Sequence, residues 1–304
     1  MNDIGASVIA RLKLRAAKEG LQLQLLLNLF CQEEFLRRIS ISRFNENLIL
    51  KGGLLLYTIS EFASRPTMDA DYLLKDYSNE MNDVEKMVEE IISVNTGNEF
   101  VNISIEKIET IAEHREYNGI RISLVGKIKN TRTPFCIDYG VGDIVVPAPS
   151  KRCLPVLLPE FNAPEVLTYS MESIISEKFD AIITRMELSG RMKDFFDIYY
   201  LATISDFEGK KIQEALRETL STRETPYGNE SLELLLGLSN DKDMMIRWNS
   251  FCKKVLKTDL NFNVVLEMIV SFLKPPYDAM IKGEICEGIW NAESKSYQFA
   301  GVLK

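Results

Sequence analysis

The stretch that decides the fold is KGGLLLYTISEFASRPTMDADYLL, residues 51–74. Apolar runs and glycines divide it, with the three residues before it, into short segments of different period. They predict a buried strand, a glycine turn, a helix and a second strand, in the order Leu48–Leu50, Gly52-Gly53, Leu54–Phe62 and Thr67–Leu74. This order places the glycine turn beside the side chains of the second strand.

The second predicted strand carries two aspartates, Asp69 and Asp71. Side chains alternate along a strand, so both carboxylates point to one face, which Thr67 shares and which Arg65 precedes. Two adjacent carboxylates repel each other unless a cation lies between them. Hard cations such as Mg²⁺ bind one or two carboxylates together with phosphate oxygens. The strand therefore predicts a metal site next to a phosphate.

The Gly52-Gly53 turn comes just before a predicted helix start, where bare backbone N–H groups and the helix dipole favour an anion. Glycine also lets a phosphate approach the backbone closely. A Gly-Gly pair alone is more often only a turn, and a DxD alone is often a solvated strand edge. Their combined order, strand, Gly-Gly, helix, strand, DxD, favours a nucleotide–metal site.

A third carboxylate is predicted at Asp138, in the segment PFCIDYGVGD (134–143). Strand alternation places Asp138 and Cys136 on the face opposite to three apolar residues of this segment. An aspartate before Tyr-Gly can instead be a turn residue. We interpret Asp143, after a glycine, as such a loop residue.

The chain changes character near residue 160. Five prolines between 147 and 164 indicate a linker or an extended segment. We therefore predict an α+β protein with two domains, a mixed α/β domain over residues 1–160 and a helical domain over 161–304. Helical periodicity marks the second half at 171–188, 191–203, 208–222, 245–257 and 262–273.

Lys178 lies within the apolar stripe of the first of these helices, where a lysine is costly unless it is paired. Asp194 and Asp197 share a face of the next helix. Lys178 can instead extend its ammonium to solvent, and Asp194 can stabilise the first helical turn. We favour a functional role for Lys178, with Asp194 close enough to hold it when no nucleotide is bound.

Composition excludes several classes of catalytic site. The 304 residues include one histidine, His114, and five cysteines, none in a CxxC pair. One histidine excludes a zinc site with several histidines, and any Ser-His-Asp triad would have to use His114. We interpret His114 as a surface turn residue. The odd number of cysteines favours a reducing compartment.

The net charge of −8 argues against broad nonspecific binding to nucleic acid, although residues 1–51 carry eight Lys/Arg against five Asp/Glu. Arg37, Arg38 and Arg43 belong to this basic region and can contact phosphates, but a solvated helix face is the preferred interpretation. The opening sequence lacks the pattern of a secretory signal, and the apolar stretches are too short or too interrupted to span a membrane. We expect a cytoplasmic protein.

Several motifs together resemble the AbiEii/AbiGii-type toxin nucleotidyltransferases, the toxin half of AbiE-like toxin–antitoxin systems. They are LKGGLLLY (50–57), RPTMDADYLL (65–74), IDYGVGD (137–143), ISEKFDAIITR (175–185) and GRMKDFFDIYYLA (190–202). Residues 6–19 and 21–39 are predicted as two amphipathic helices and also look like the leading helices of the family, whereas the last ~80 residues match no motif of it. The resemblance implies a polymerase-β-like nucleotidyltransferase domain followed by a helical half that completes the nucleotide site.

The resemblance also implies roles for residues. The phosphates of the nucleotide would lie at Gly52 and Gly53, with Arg65 and Thr67 beside them. The matched metal ligands are Asp69, Asp71 and Asp138. The matched catalytic residues of the helical half are Lys178, which would also bind the nucleotide, and Asp194.

The activity implied by the resemblance is transfer of NMP from an NTP to an acceptor hydroxyl by two Mg²⁺ ions, with Mn²⁺ as the alternative metal. The implied acceptor is the 3′ end of an RNA, tRNA first, with translation blocked as the result. The implied partner is an AbiEi-like antitoxin, and the implied setting is phage defence. Two alternatives stay open: a nucleotidyltransferase or kinase acting on a protein or small molecule, and a non-enzymatic nucleotide- or partner-binding module.

Overall fold

The computed structural model describes residues 3–112 and 118–299, so His114 lies outside the described residues. The chain divides into two compact units. The first comprises Met1–Gly142 and Pro149–Thr168, and the second comprises Asp143–Ala148 and Tyr169–Lys304.

The first unit contains a mixed sheet and four helices. The helices are α1 Ile4–Glu19, α2 Leu23–Ile41, α3 Gly52–Ile59 and α4 Met81–Ser93. The strands are β1 Leu48–Lys51, β2 Asp69–Leu74, β3 Val101–Ala112, β4 Asn118–Ile128, β5 Thr131–Gly140, β6 Ser150–Cys153 and β7 Glu165–Thr168. Their order in the sheet is β3-β4-β5-β2-β1-β7-β6. The pairs β2/β5 and β1/β7 are parallel, and the other neighbours are antiparallel.

One face of this sheet is buried beneath α2. The apolar side chains Phe135, Ile137 and Tyr139 of β5 are at most 3% exposed, as the alternation predicts. Asn28 on α2 donates a hydrogen bond to the carbonyl of Pro134 on β5, at 3.1 Å. The opposite face of β5, which carries Asp138, is therefore the face that is left for polar groups.

The interpretation of the basic residues near the amino terminus as a solvated face is wrong for Arg37 and Arg38, which are 4% and 7% exposed. Arg37 forms ion pairs with Glu33 and, at 3.0 Å, with Glu34. Arg38 pairs with Glu34 at 3.2 Å and donates to the Val101 carbonyl at 2.8 Å. Buried charges need such partners, so these arginines hold α2 in the core.

The second unit is mostly helical and contains a small sheet. Its helices are α5 Met171–Arg185, α6 Met192–Ile204, α7 Gly209–Thr222, α8 Ser231–Gly237, α9 Lys242–Phe251 and α10 Phe262–Lys282. Its strands are β8 Phe207–Glu208, β9 Ile289–Asn291 and β10 Ser296–Gln298, in the order β10-β9-β8. The predicted α+β class, with a mixed sheet followed by a mostly helical half, is confirmed.

The loop segment 143–148 is held inside the second unit by an arginine. Arg223 pairs with Asp143 at 2.8 Å, with Asp180 at 3.1 Å and with Glu177 at 3.4 Å. Three surrounding carboxylates raise the pKa of Arg223 although its burial works against the charge. Asp143 is thus a loop residue, as predicted, with a structural partner.

The proline-rich stretch follows the second of its two predicted alternatives, an extended segment, because it contains β6, which pairs with β7. One helix boundary was predicted wrongly. The last predicted helix does not end at residue 273, since α10 continues through Pro275 and Pro276 to Lys282. Across residues 3–112 and 118–299, no helix is long and apolar enough to cross a bilayer.

Candidate active site

A row of charged residues crosses five strands of the large sheet. Lys51 on β1 stands opposite Asp71 on β2, and Asp71 stands opposite Asp138 on β5. Asp138 stands opposite Arg121 on β4, which in turn faces Glu109 on β3. All five residues are partly exposed. Directly opposed side chains point to one side of a sheet, so the row lies on the face opposite α2.

Asp69 lies one step along the same face. It is opposite Cys136 on β5, and Cys136 is opposite Ser123 on β4. The Ser123 hydroxyl and the Cys136 thiol lie 3.8 Å apart. The structure therefore places Asp69, Asp71 and Asp138 on adjacent parallel strands, and the predicted strand position of Asp138 is confirmed.

Gly52 is the first residue of α3 and lies directly beside Asp71. Its φ of 69° is in the left-handed region, where a side chain is disfavoured. A Cβ at Gly52 would overlap Oδ2 of Asp71 and lie 3.0 Å from its carboxyl carbon. Lys51, the N-cap residue of α3, makes no side-chain capping hydrogen bond. Only glycine fits between the start of α3 and this carboxylate.

Gly53 is covered by the two other residues that were predicted to bind the nucleotide. A Cβ at Gly53 would lie 3.2 Å from Oγ1 of Thr67 and 3.3 Å from Nη2 of Arg65. Both side chains are buried, at 8% exposure each. The Thr67 hydroxyl also accepts a hydrogen bond from the backbone N–H of Asp69 at 3.2 Å. A cation and a hydroxyl thus flank the first turn of α3.

Asp138 is engaged by Arg121, a residue that sequence reasoning missed. Arg121 donates from Nε to Oδ1 at 2.8 Å and from Nη2 to Oδ2 at 2.6 Å. The hydrogen bonds and charge of Asp138 raise the pKa of Arg121, and the charge of Asp69 adds a smaller effect. Alternation along β4 gives the face of Arg121, but its partner depends on a strand register that the sequence does not reveal.

The donor types at this face suit a hard divalent cation, because Asp69 and Asp71 offer carboxylate oxygens beside the start of α3. They do not form a ready cage. Within the described ranges, no group of three or more His, Cys, Asp or Glu residues is arranged to hold a metal ion. Each oxygen of Asp138 accepts a hydrogen bond from Arg121. The oxygen donors of the three aspartates suit Mg²⁺. Asp138, the third predicted ligand, is however paired with Arg121 and not left open for a metal ion.

A second cluster lies within the helical unit, around Lys178 on α5. Its ammonium contacts Asp194 at 3.1 Å and Asp197 at 2.6 Å, both on α6. All three residues are buried, with 8%, 1% and 2% exposure. Arg191 adds an ion pair to Asp194 at 2.6 Å. The predicted burial of Lys178 and its contact with Asp194 are confirmed.

The charge balance of this cluster decides the state of Asp194. Burial raises the pKa of its carboxyl, but the charges and hydrogen bonds of Lys178 and Arg191 outweigh it, and the net pKa is lowered. The sequence pattern assigns no role to Arg191 and does not reveal the contact of Asp197 with Lys178. Arg191 and Asp194 are three residues apart, and this spacing could have predicted their ion pair.

Comparison with known proteins gives a family. The family model described as nucleotidyl transferase AbiEii toxin, type IV toxin–antitoxin system, matches residues 34–279. No curated protein matches the chain. Among solved structures, the chain is similar to JHP933 from Helicobacter pylori, with 16% identity, a TM-score of 0.48, and coverage of 86% of this chain and 97% of that one. A second H. pylori chain, described as a candidate nucleotidyltransferase, has 17% identity, a TM-score of 0.43 and the same coverage.

The family match covers both the charged sheet face and the Lys178 cluster. It also extends over most of the chain, beyond the motifs that suggested the resemblance. The chain therefore belongs to the AbiEii nucleotidyl transferase toxin family of type IV toxin–antitoxin systems, and this membership implies an antitoxin partner.

Proposed function

We propose that this toxin transfers NMP from an NTP to the 3′ hydroxyl of an RNA, with tRNA as the first acceptor to test. The observation that carries the proposal is the position of Asp71, which lies against the first residue of α3 and beside Asp138 on the same sheet face. A helix start favours phosphate, and a pair of carboxylates favours the metal ion that accompanies a triphosphate.

The start of α3 is the proposed phosphate site. A phosphate would bind the backbone N–H groups of the first turn between the side chains of Asp71, Thr67 and Arg65, which line the two glycines, and the helix dipole favours its charge. Arg65 lies within contact distance of Gly53 and supplies a guanidinium, which binds phosphate through two parallel hydrogen bonds. Thr67 supplies a hydroxyl from the same place.

The proposed metal ligands are Asp69, Asp71 and Asp138. Bound Mg²⁺ supplies charge neutralisation for the triphosphate and a lower pKa for the acceptor hydroxyl. The three aspartates orient this chemistry from two adjacent parallel strands, whose rigid pairing fixes their spacing. Asp138 is also proposed to accept the proton of the attacking hydroxyl.

Lys178 is proposed to neutralise charge on the NTP. Its buried ammonium pairs with Asp194 and Asp197, and Asp194 keeps Arg191 as a partner if Lys178 turns to a phosphate. If Lys178 moves away, the charge of Asp194 is still balanced by Arg191. The role of Lys178 in nucleotide binding stays a proposal that rests on the family.

The test separates the acceptor classes. The full chain is incubated with each of the four α-labelled NTPs, Mg²⁺, total RNA and a protein extract, beside Asp71→Asn. We expect label on RNA from the wild type and none from Asp71→Asn. Label on protein would overturn the RNA acceptor and keep the transferase, and the absence of label on any molecule would overturn the transferase.

A further inference from the structure

The charged row on the sheet face contains a cation where a metal is expected. Arg121 and Asp138 are direct neighbours on β4 and β5, and both guanidinium contacts go to the two oxygens of one carboxylate. The fork takes one lone pair of each oxygen, and the guanidinium charge beside the carboxylate repels a second cation. A metal ion that uses Asp138 must therefore compete with Arg121.

We propose that Arg121 is a built-in competitor for the metal, which pairs with Asp138 in the unloaded protein and must release it when the ion binds. The inference rests on the proposed function, because it takes Asp138 as a metal ligand. It adds a residue to that site and an order of events: the third carboxylate becomes available only when the arginine withdraws.

The surroundings of Arg121 allow it to withdraw. Its side chain is 41% exposed and that of Asp138 is 20% exposed, so the pair lies at the surface, where an ion pair is weak enough to exchange. Glu109 stands opposite Arg121 on the other neighbouring strand, so a second carboxylate is within the same row. Glu109 at present contacts Lys107 at 2.6 Å.

Removal of the guanidinium should therefore strengthen metal binding. Mn²⁺ is titrated into the full chain without nucleotide, and free Mn²⁺ is followed by electron paramagnetic resonance. The variants are Arg121→Gln, Asp138→Asn and the two combined. A surface ion pair changes an equilibrium by up to about fivefold, and a bidentate fork is stronger, so we expect Arg121→Gln to tighten Mn²⁺ binding about three- to tenfold.

The matched control is Arg132→Gln. Arg132 lies on β5, pairs with Glu106 and is 67% exposed, so its loss removes the same charge from the same sheet away from the aspartates. It should leave the Mn²⁺ affinity within about twofold, as expected for a screened surface charge. In the Asp138→Asn background, Arg121→Gln should have no effect, because the contested carboxylate is absent.

Each outcome decides the matter. Equal affinity for wild type and Arg121→Gln, or an equal gain from Arg132→Gln, overturns the competition while the metal site stands. The absence of Mn²⁺ binding in every protein overturns the competition and the proposed metal site together. If Arg121→Gln does not fold, as judged by its thermal melt, Arg121→Lys replaces it. Lysine keeps the charge without the fork, so a smaller gain is expected and an unchanged affinity again overturns the inference.

Discussion

Asp71 places its carboxylate directly against Gly52, the first residue of α3, whose φ is 69°. The contact joins the two halves of the motif that the sequence separates by the helix α3 and the turn after it. It leaves no space for a Cβ at residue 52. The position of the carboxylate and the left-handed backbone therefore depend on the same glycine.

Gly52→Ala should abolish most transfer with only a moderate loss of stability. The left-handed backbone costs an alanine about 1–2 kcal/mol. The added methyl also forces Asp71 to move, and a displacement of about 1 Å in a catalytic group can lower the rate about a hundredfold. Transfer rates and urea unfolding are measured in parallel.

Gly20→Ala is the control for backbone strain. Gly20 has a φ of 66° and no neighbouring atom within 4 Å of a Cβ. It should lose about the same 1–2 kcal/mol and keep full transfer. Equal loss of activity in both variants would show that the defect is one of folding and not of the contact with Asp71.

Asp69→Asn should remove transfer while the fold is kept or slightly stabilised. The amide keeps the shape of the side chain but not its charge, and a metal ligand is worth several kcal/mol in the transition state, so the rate should fall at least about a hundredfold. Loss of one like charge beside Asp71 relieves repulsion in the metal-free protein. Asp76→Asn, at a side chain that is 82% exposed, should leave the rate unchanged. Full transfer by Asp69→Asn would show that Asp69 is not a metal ligand.

Lys178→Met should destabilise the protein strongly. The methionine fills the space, but Asp194 and Asp197 lose their shared cation in a buried position. Breaking a buried pair costs about 3–5 kcal/mol, whereas loss of an exposed pair costs about 1 kcal/mol or less. Lys211→Met is the exposed counterpart, since Lys211 pairs with Glu208 and is 44% exposed. Both are compared by chemical denaturation.

Adding Asp197→Asn to Lys178→Met should restore part of the lost stability, because Asp194 still has Arg191. This double variant is also the protein in which NTP affinity is measured. If it folds well and binds NTP as tightly as the wild type, Lys178 is structural and has no part in nucleotide binding.

The pH dependence of stability should report Asp194. Its folded pKa lies below the ordinary value, so its ion pairs contribute fully above the unfolded pKa of about 4 and are lost as the pH falls through the folded pKa. The difference in unfolding free energy between wild type and Asp194→Asn should therefore shrink below about pH 4. A difference that stays constant or widens between pH 6 and pH 3 contradicts this account.

The sequence carries enough to predict the local part of the site. Alternation on β5 gives the face of Asp138, and the apolar stripe of α5 gives the buried position of Lys178, because both depend only on the period of one element. Arg121 could not be paired with Asp138 in advance, since the partner follows from the register of β4 on β5. The local sequence pattern predicts which face of a strand or helix a side chain is on, whereas the pairing of distant strands decides which residue it contacts.

The same distinction explains the missed elements. Strands of two to four residues, such as β8, β6 and β9, are too short to show a period. Pro275 and Pro276 predict a helix end, yet α10 continues past them with Pro276 and Tyr277 buried. Packing of an apolar face against the rest of the unit outweighs the loss of backbone hydrogen bonds there.

The central claim, that an Asp71-dependent site transfers a nucleotidyl group, is tested most directly by the position of the label in the NTP. Wild type and Asp71→Asn are incubated with RNA and Mg²⁺ and with NTP labelled at either the α- or the γ-phosphate. The account predicts that wild type moves the α-label to RNA and releases the γ-label in pyrophosphate, and that Asp71→Asn does neither. Transfer of the γ-label to an acceptor, or equal transfer of the α-label by both proteins, would contradict it.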